Sequence, residues 1–274
     1  MILYDILLGN MKWKYIITLF VVAVIGLIGI VFYYHIDWND LVTLSFYENL
    51  ANPSVRIVRV EEGLRKEEIA EIMANKLGWD DSEKKQFVLS HLALNKDSSE
   101  GYFFPKTYMI HKDESPKEVS TKMFTEFKKQ TNTIVKTKTT KIVNEDTAVK
   151  IASIIQREAG GKGDMRLISG IIWNRLFNGM KLQMDATLQY AKGSEVDGWW
   201  PQISSKDKQI DSPYNTYLYP SLPPGPIANP GLSALNAAYN PQKTSCLFYL
   251  HDKNRNIHCS STYEGHLKNI DKYY

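Results

Sequence analysis

A glutamate set inside an apolar stripe is the residue of this chain best placed to do chemistry. Residues 147–159 (TAVKIASIIQREA) carry helical periodicity, with Ile151, Ile154 and Ile155 on one face. Glu158 falls three, four and seven positions after those isoleucines, within the same stripe. Gly160, Gly161 and Gly163 follow at once and stop the helix. The carboxylate is therefore expected partly desolvated at a helix C-terminus, beside the negative end of the macrodipole. Both effects disfavour its charged form and raise its pKa. Such a group suits general acid catalysis near neutral pH. Position alone leaves a second account open: an exposed glutamate at a fraying helix end, or one paired with Arg157.

Other polar side chains fall near this one in sequence. Residues 165–178 read as a helix with Ile168, Ile171, Ile172 and Leu176 inward, and Arg175 again lies within the stripe. A buried guanidinium requires a carboxylate or backbone carbonyls as partner. Gly179 ends that helix, and Asp185 stands where it caps a short helix through Tyr190; capping is favoured over a direct chemical role. Residues 193–231 form a long loop rich in Gly, Pro, Asn, Ser, Trp and Tyr, including SPYNTY (212–217) and LPPGPIANPG (222–231). Long loops inside compact domains are usually functional, and aromatic faces beside amides suit sugar rings. A loop merely stiffened by prolines is the alternative. His91, His111, His251, His258 and His266 show no metal-ligand spacing on one helix. No Ser/His/Asp order, phosphate loop or dinucleotide fingerprint is present, so neither metal nor cofactor is expected.

The chain that positions these groups has 274 residues, room for one or two domains. Its net charge of +3 implies no nucleic-acid partner, and the lysines at 136, 138 and 141 read as a solvated linker within residues 131–146. Residues 15–34 (YIITLFVVAVIGLIGIVFYY) contain no charge and are long enough to cross a bilayer. Lys12 and Lys14 precede them, and no lysine or arginine follows until Arg56. The positive-inside bias makes the N-terminus cytoplasmic and the remainder extracytoplasmic. A cleaved signal peptide is disfavoured, since the run exceeds a normal apolar region and no small-x-small site follows.

Residues 35–54 are expected as a juxtamembrane linker, followed by a strand at 55–60 and a helix at 65–77 with Ile69, Ile72, Met73 and Leu77 inward. A second helix, capped by Asp81 or Ser82, carries Phe87, Val88 and Leu92. This strand–helix–helix unit, residues 55–99, is either a LysM-like glycan-binding subdomain or a plain packing unit. EGYFFPKTY (100–108) is an aromatic segment suited to lining a groove or adding a strand, and Ser115–Glu118 form a capping box for a helix to about Gln130. Residues 232–240 give a small helix, and Cys246 and Cys259 flank a hairpin. If that hairpin is centred between Asp252 and Lys253, the cysteines lie opposite each other; a disulfide and two half-buried thiols both remain open.

Taken together, EGYFFPKTY, ASIIQREAG (152–160), WNRL (173–176), LQMDATLQY (182–190), SPYNTY, LPPGPIANPGLSALNAA (222–238) and TYEGH (262–266) resemble the YceG-like family of membrane-anchored endolytic murein transglycosylases. Lys106 and Ala186 stand where that family commonly has an acid and a proline. The resemblance implies an anchored α+β protein: anchor at 1–34, linker at 35–54, LysM-like subdomain at 55–99 and catalytic domain at 100–274. It implies a cell-membrane lyase that cuts the β-1,4 bond between N-acetylmuramic acid and N-acetylglucosamine, leaving 1,6-anhydro ends without a cofactor. The catalytic glutamate maps onto Glu158, and Gln183, Asp185, Tyr214, Asn215 and Tyr217 are the positions expected to hold glycan. Peptidoglycan synthases or the elongation machinery are the partners it implies. Two other readings stand beside this one: a catalytically inactive wall-binding or scaffolding protein, and a hydrolase pairing Asp185 with Glu158.

Overall fold

The computed structural model describes residues 2–34, 43–90, 99–136 and 143–273. His91, Leu92, Lys138, Lys141 and residues 35–42 of the expected linker lie outside them. The chain is mixed α+β and divides into two compact units, residues 1–59 with 106–112, and residues 60–105 with 113–274.

In the first unit, α1 (Ile2–Tyr34) contains Tyr15–Tyr33, whose mean hydropathy of 2.9 makes it long and apolar enough to cross a membrane. A short helix α2 (Leu44–Ala51) leads to β1 (Val55–Arg59). Its antiparallel partner is β2 (Thr107–His111), with Ile57 opposite Met109. The sequence aromatic segment therefore does supply a strand, and β1 pairs beyond the 55–99 boundary.

The second unit begins with α3 (Lys66–Leu77) and α4 (Asp81–Val88). Asp80, not Asp81 or Ser82, caps α4: its carboxylate accepts from Glu83 N at 2.9 Å, and Glu83 reaches back to Asp80 N. That reciprocal pair needs a three-residue spacing, which only Asp80 has. Helix α5 (Pro116–Thr131) opens on the expected box, with Glu118 accepting from Ser115 N at 2.8 Å.

Three helices build the frame of the site. Asn144 accepts from Thr147 N at 2.7 Å and starts α6 (Glu145–Glu158) two residues ahead of the apolar pattern. Ile151, Ile154 and Ile155 are fully buried against Ile168 and Ile172 of α7 (Met165–Phe177) and Leu235 of α9 (Leu232–Tyr239). Each isoleucine so buried contributes roughly 1.5–3 kcal/mol, so this contact fixes the direction of α6. Between α7 and α9 lie α8 (Asp185–Lys192) and a 3₁₀ turn at Ser205–Gln209.

The C-terminal hairpin pairs β3 (Phe248–His251) with β4 (Ile257–Ser260), followed by α10 (Tyr263–Tyr273). Its register places Tyr249 opposite Cys259, a correction of the Cys246–Cys259 alignment. The physical reason is the turn: Asp252 accepts from Asn254 N, Asn256 N and Asn256 Nδ2 at 2.8–3.0 Å, and Arg255 adopts φ 64°. A carboxylate gathering three donors closes a longer loop than the symmetric two-residue turn. Cys246 and Cys259 nonetheless form a disulfide, with Cα atoms 5.8 Å apart.

Candidate active site

Glu158 is the last residue of α6, and Ala159 leaves the helix in an extended conformation (φ −69°, ψ 136°). Asp164 then gathers the glycine turn, accepting from Gly160 N at 2.8 Å and Gly161 N at 3.2 Å. A side chain at Gly160 would press on the Arg255 carbonyl and the His251 ring, so glycine lets the hairpin approach the helix end.

Both carboxylate oxygens of Glu158 are engaged. Ala186 N donates to Oε1 at 3.1 Å, using an N–H that proline lacks, and the Tyr249 hydroxyl donates to Oε2 at 2.8 Å. Burial raises the Glu158 pKa, while Tyr249 and Ala186 pull it down; Asp185 raises it and His251 lowers it by smaller amounts. The direction agrees with the expectation from the stripe. Arg157 does not pair with it. The guanidinium lies over the Trp200 ring at 3.7 Å and donates to Gly63 O at 3.4 Å.

Around Glu158 opens a cleft of about 490 Å³. Of the residues expected to hold glycan, Gln183, Asp185 and Tyr217 line it with Glu158. Asp185 is the first residue of α8 and does not cap it; Met184 holds the cap position. The Asp185 carboxylate instead accepts from the Tyr217 hydroxyl at 2.5 Å, which with burial holds that phenol well above its ordinary pKa. Gln183 sits at φ 54°, a left-handed conformation costly for a residue with a Cβ. Hydrogen bonds keep it there: Gln183 N donates to Thr216 O at 3.1 Å, and Met184 N donates to Thr216 Oγ1 at 3.0 Å.

Tyr214 and Asn215 are not brought to the cleft. The Tyr214 ring packs on Tyr190 with centroids 4.8 Å apart. Asn215 is fully buried; its amide donates to Ile210 O at 2.8 Å, and its oxygen accepts from Tyr217 N at 3.0 Å. It shapes the loop that presents Tyr217.

Sequence reasoning missed Tyr249, His251, Asp164 and Phe248. His251 Nε2 lies 2.7 Å from Asp164 Oδ2. Tyr249 and His251 lie on β3, whose residues Phe248 to His251 all line the cleft. Arg175 lines it too. The partners it required are backbone carbonyls: Nε donates to Leu247 O at 2.6 Å, and Nη1 to Leu182 O at 2.7 Å and Lys181 O at 3.1 Å. Among the described residues no group of three His, Cys, Asp or Glu is placed to hold a metal ion.

The YceG-like family model matches residues 34–272. An endolytic murein transglycosylase of Bacillus subtilis (strain 168) is 37% identical over 199 residues, covering 69% of this chain and 53% of its own length. One of Streptococcus pneumoniae is 29% identical over 176 residues, covering 64% of this chain and 32% of its own. The chain thus spans about half and about a third of these relatives. A crystal structure of a YceG-like protein from Listeria monocytogenes superposes with a TM-score of 0.64 at 29% identity, covering 80% of this chain and 76% of that one.

Proposed function

The chain belongs to the YceG-like family, and on that premise we propose that it is a membrane-anchored endolytic murein transglycosylase with Glu158 as its single general acid and base. The observation that carries the reading is the half-buried carboxyl of Glu158, at the end of an apolar helix face and in the wall of a cleft. Its oxygens are fixed by one backbone donor and one phenol.

In the proposed reaction Glu158 protonates the glycosidic oxygen between N-acetylmuramic acid and N-acetylglucosamine. The C1–O bond breaks, the muramic C6 hydroxyl attacks C1, and its proton passes to the carboxylate. The product ends in a 1,6-anhydro sugar and Glu158 is again protonated. The nucleophile belongs to the substrate, so a second catalytic carboxylate is unnecessary and effective molarity is gained. This distinguishes the reaction from glycosidases that use two. Asp185, the other carboxylate lining the cleft among the described residues, is held by Tyr217. In this reading Gln183, Asp185 and Tyr217 bind glycan, while Tyr214 and Asn215 support the loop.

We place the N-terminus in the cytoplasm because Lys12 and Lys14 precede the apolar helix segment. The rest then lies in the oxidising compartment that a Cys246–Cys259 disulfide suits. A LysM-like glycan-binding role for residues 55–99 and partnership with peptidoglycan synthases complete the proposal.

The test uses uncrosslinked glycan strands in ¹⁸O-labelled water. Every new muramic terminus is expected to be anhydro and unlabelled; labelled reducing ends would identify a hydrolase instead.

A further inference from the structure

Arg175 carries a positive charge that no carboxylate among the described residues answers. Its Nε and Nη1 donate to three backbone carbonyls and, at 3.3 Å, to Gln183 Oε1, all neutral acceptors. Nη2 has no hydrogen-bond partner among the described residues and is not an orphaned buried atom. The residue is 7% exposed overall, yet it lines the cleft. The four bonds hold the guanidinium in one orientation and leave Nη2 as its unused donor. A desolvated cation with neutral partners is costly, and a ligand oxygen is the group that would offset that cost.

Two kinds of side chain line the cleft. Glu158 and Asp185 are acidic. Arg175 lies over the Phe248 ring at 5.1 Å, and Phe248 packs against Tyr263 and His266 at 5.8 and 5.6 Å. Burial and the Arg175 charge both lower the His266 pKa, so the imidazole adds no second cation near neutral pH. Gln183 is exposed, and with its oxygen facing Arg175 its amide nitrogen remains a donor for a ligand. Arg175 and Gln183 therefore offer a fixed guanidinium N–H and an amide N–H beside an aromatic wall.

We propose that Arg175 and Gln183 form a subsite that reads the acyl oxygens of the 3-O-lactyl substituent of a muramic acid residue, and so separates murein from glycans lacking that group. The inference rests on the murein reading above. A hexose polymer of N-acetylglucosamine alone presents nothing to fill the subsite, whereas the lactyl group presents a carboxylate, or a carboxamide when peptide-substituted. The carboxylate can take the Arg175 and Gln183 donors on separate oxygens, whereas the carboxamide offers its single carbonyl oxygen as the acceptor.

The experiment is equilibrium binding by titration calorimetry to the full chain carrying Glu158→Gln, so that turnover plays no part. Three hexasaccharides are compared: alternating murein glycan with free lactyl carboxylates, the same glycan with lactyl carboxamides, and the all-N-acetylglucosamine oligomer. Both lactyl-bearing ligands are expected to bind at least about tenfold more tightly than the third. An excess for the carboxylate that shrinks with salt identifies a charge contribution; equality of the two identifies hydrogen bonding alone. Arg175→Lys is expected to remove most of the preference. Should that variant not fold, Gln183→Asn, which leaves the three carbonyl bonds of Arg175 intact, is expected to weaken it. Equal binding of all three hexasaccharides, or full preference in folded Arg175→Lys, overturns the subsite. Binding of none overturns the murein reading itself.

Discussion

Tyr249 and Glu158, 91 residues apart in sequence, share a 2.8 Å hydrogen bond that sets the protonation balance of the site. The phenol donates to the ionised carboxylate and lowers its pKa, against the burial that raises it. Ala186 N can only donate, so Oε1 always faces a donor. The hydroxyl can both donate and accept, so Oε2 is the oxygen that can gain and lose the proton without losing its partner.

Tyr249→Phe removes that donor from the charged form. The pKa of Glu158 is then expected to rise further, since the charged form loses a hydrogen bond. The alkaline limb of the kcat profile moves up accordingly, and kcat falls while KM changes little. A pH–rate profile identical to the wild type would remove Tyr249 from the site's chemistry.

The disulfide ties Cys246 to Cys259, the residue paired with Tyr249 in the hairpin. Replacing both cysteines by serine is expected to cost about 2–3 kcal/mol, by analogy with closed loops of similar length. Calorimetry should show a Tm lower by roughly 5–10 °C. Hydrogen exchange should rise first in β3 and β4 and leave α6 protected. Unchanged protection in the hairpin would show that its hydrogen bonds alone hold Tyr249.

Glu100 lies buried, accepting from Asn229 Nδ2 at 2.7 Å and Lys66 N at 3.2 Å. Burial, with Glu67 adding to it, pushes its pKa up to about 8 from an ordinary 4.5. The folded-state value is the higher one, so its contribution to stability is complete below about pH 4.5 and is lost as pH rises to about 8. Glu100→Gln keeps an acceptor without the charge. Its stability relative to wild type is expected to climb between those pH values, by on the order of a few kcal/mol in denaturant titrations. A flat difference would mean that Glu100 ionises freely in the folded chain.

Gly170 of α7 faces the Gln242 carbonyl so closely that a Cβ there would collide with it. The backbone of Gln242 is itself bonded to Arg166 O at 2.8 Å and cannot yield freely. Gly170→Ala is expected to destabilise the chain by about 1–3 kcal/mol despite the better helix propensity of alanine. A stabilised variant would show that the approach of the Gln242 loop to α7 is soft.

What the sequence could reveal was mainly local. The stripe of α6 placed Glu158, the stripe of α7 buried Arg175, and the Ser115–Glu118 spacing started α5, because each depends on neighbours within a turn. The partner of β1 lies about 50 residues on, and no periodicity announces it. Tyr249 was hidden for a related reason: its facing depends on hairpin register, which Asp252 shifted by capturing three turn donors. The motif SPYNTY pointed to three residues alike. Motif membership does not separate Tyr217, which lines the cleft, from Asn215, whose buried amide braces the loop.

The most direct measurement is mass spectrometry of fragments released from uncrosslinked murein glycan by the full chain and by Glu158→Gln. The account predicts anhydro-terminated fragments from the wild type and a loss of at least about a thousandfold in the folded variant, the scale of removing an essential proton donor. Anhydro fragments from Glu158→Gln at the wild-type rate would contradict it.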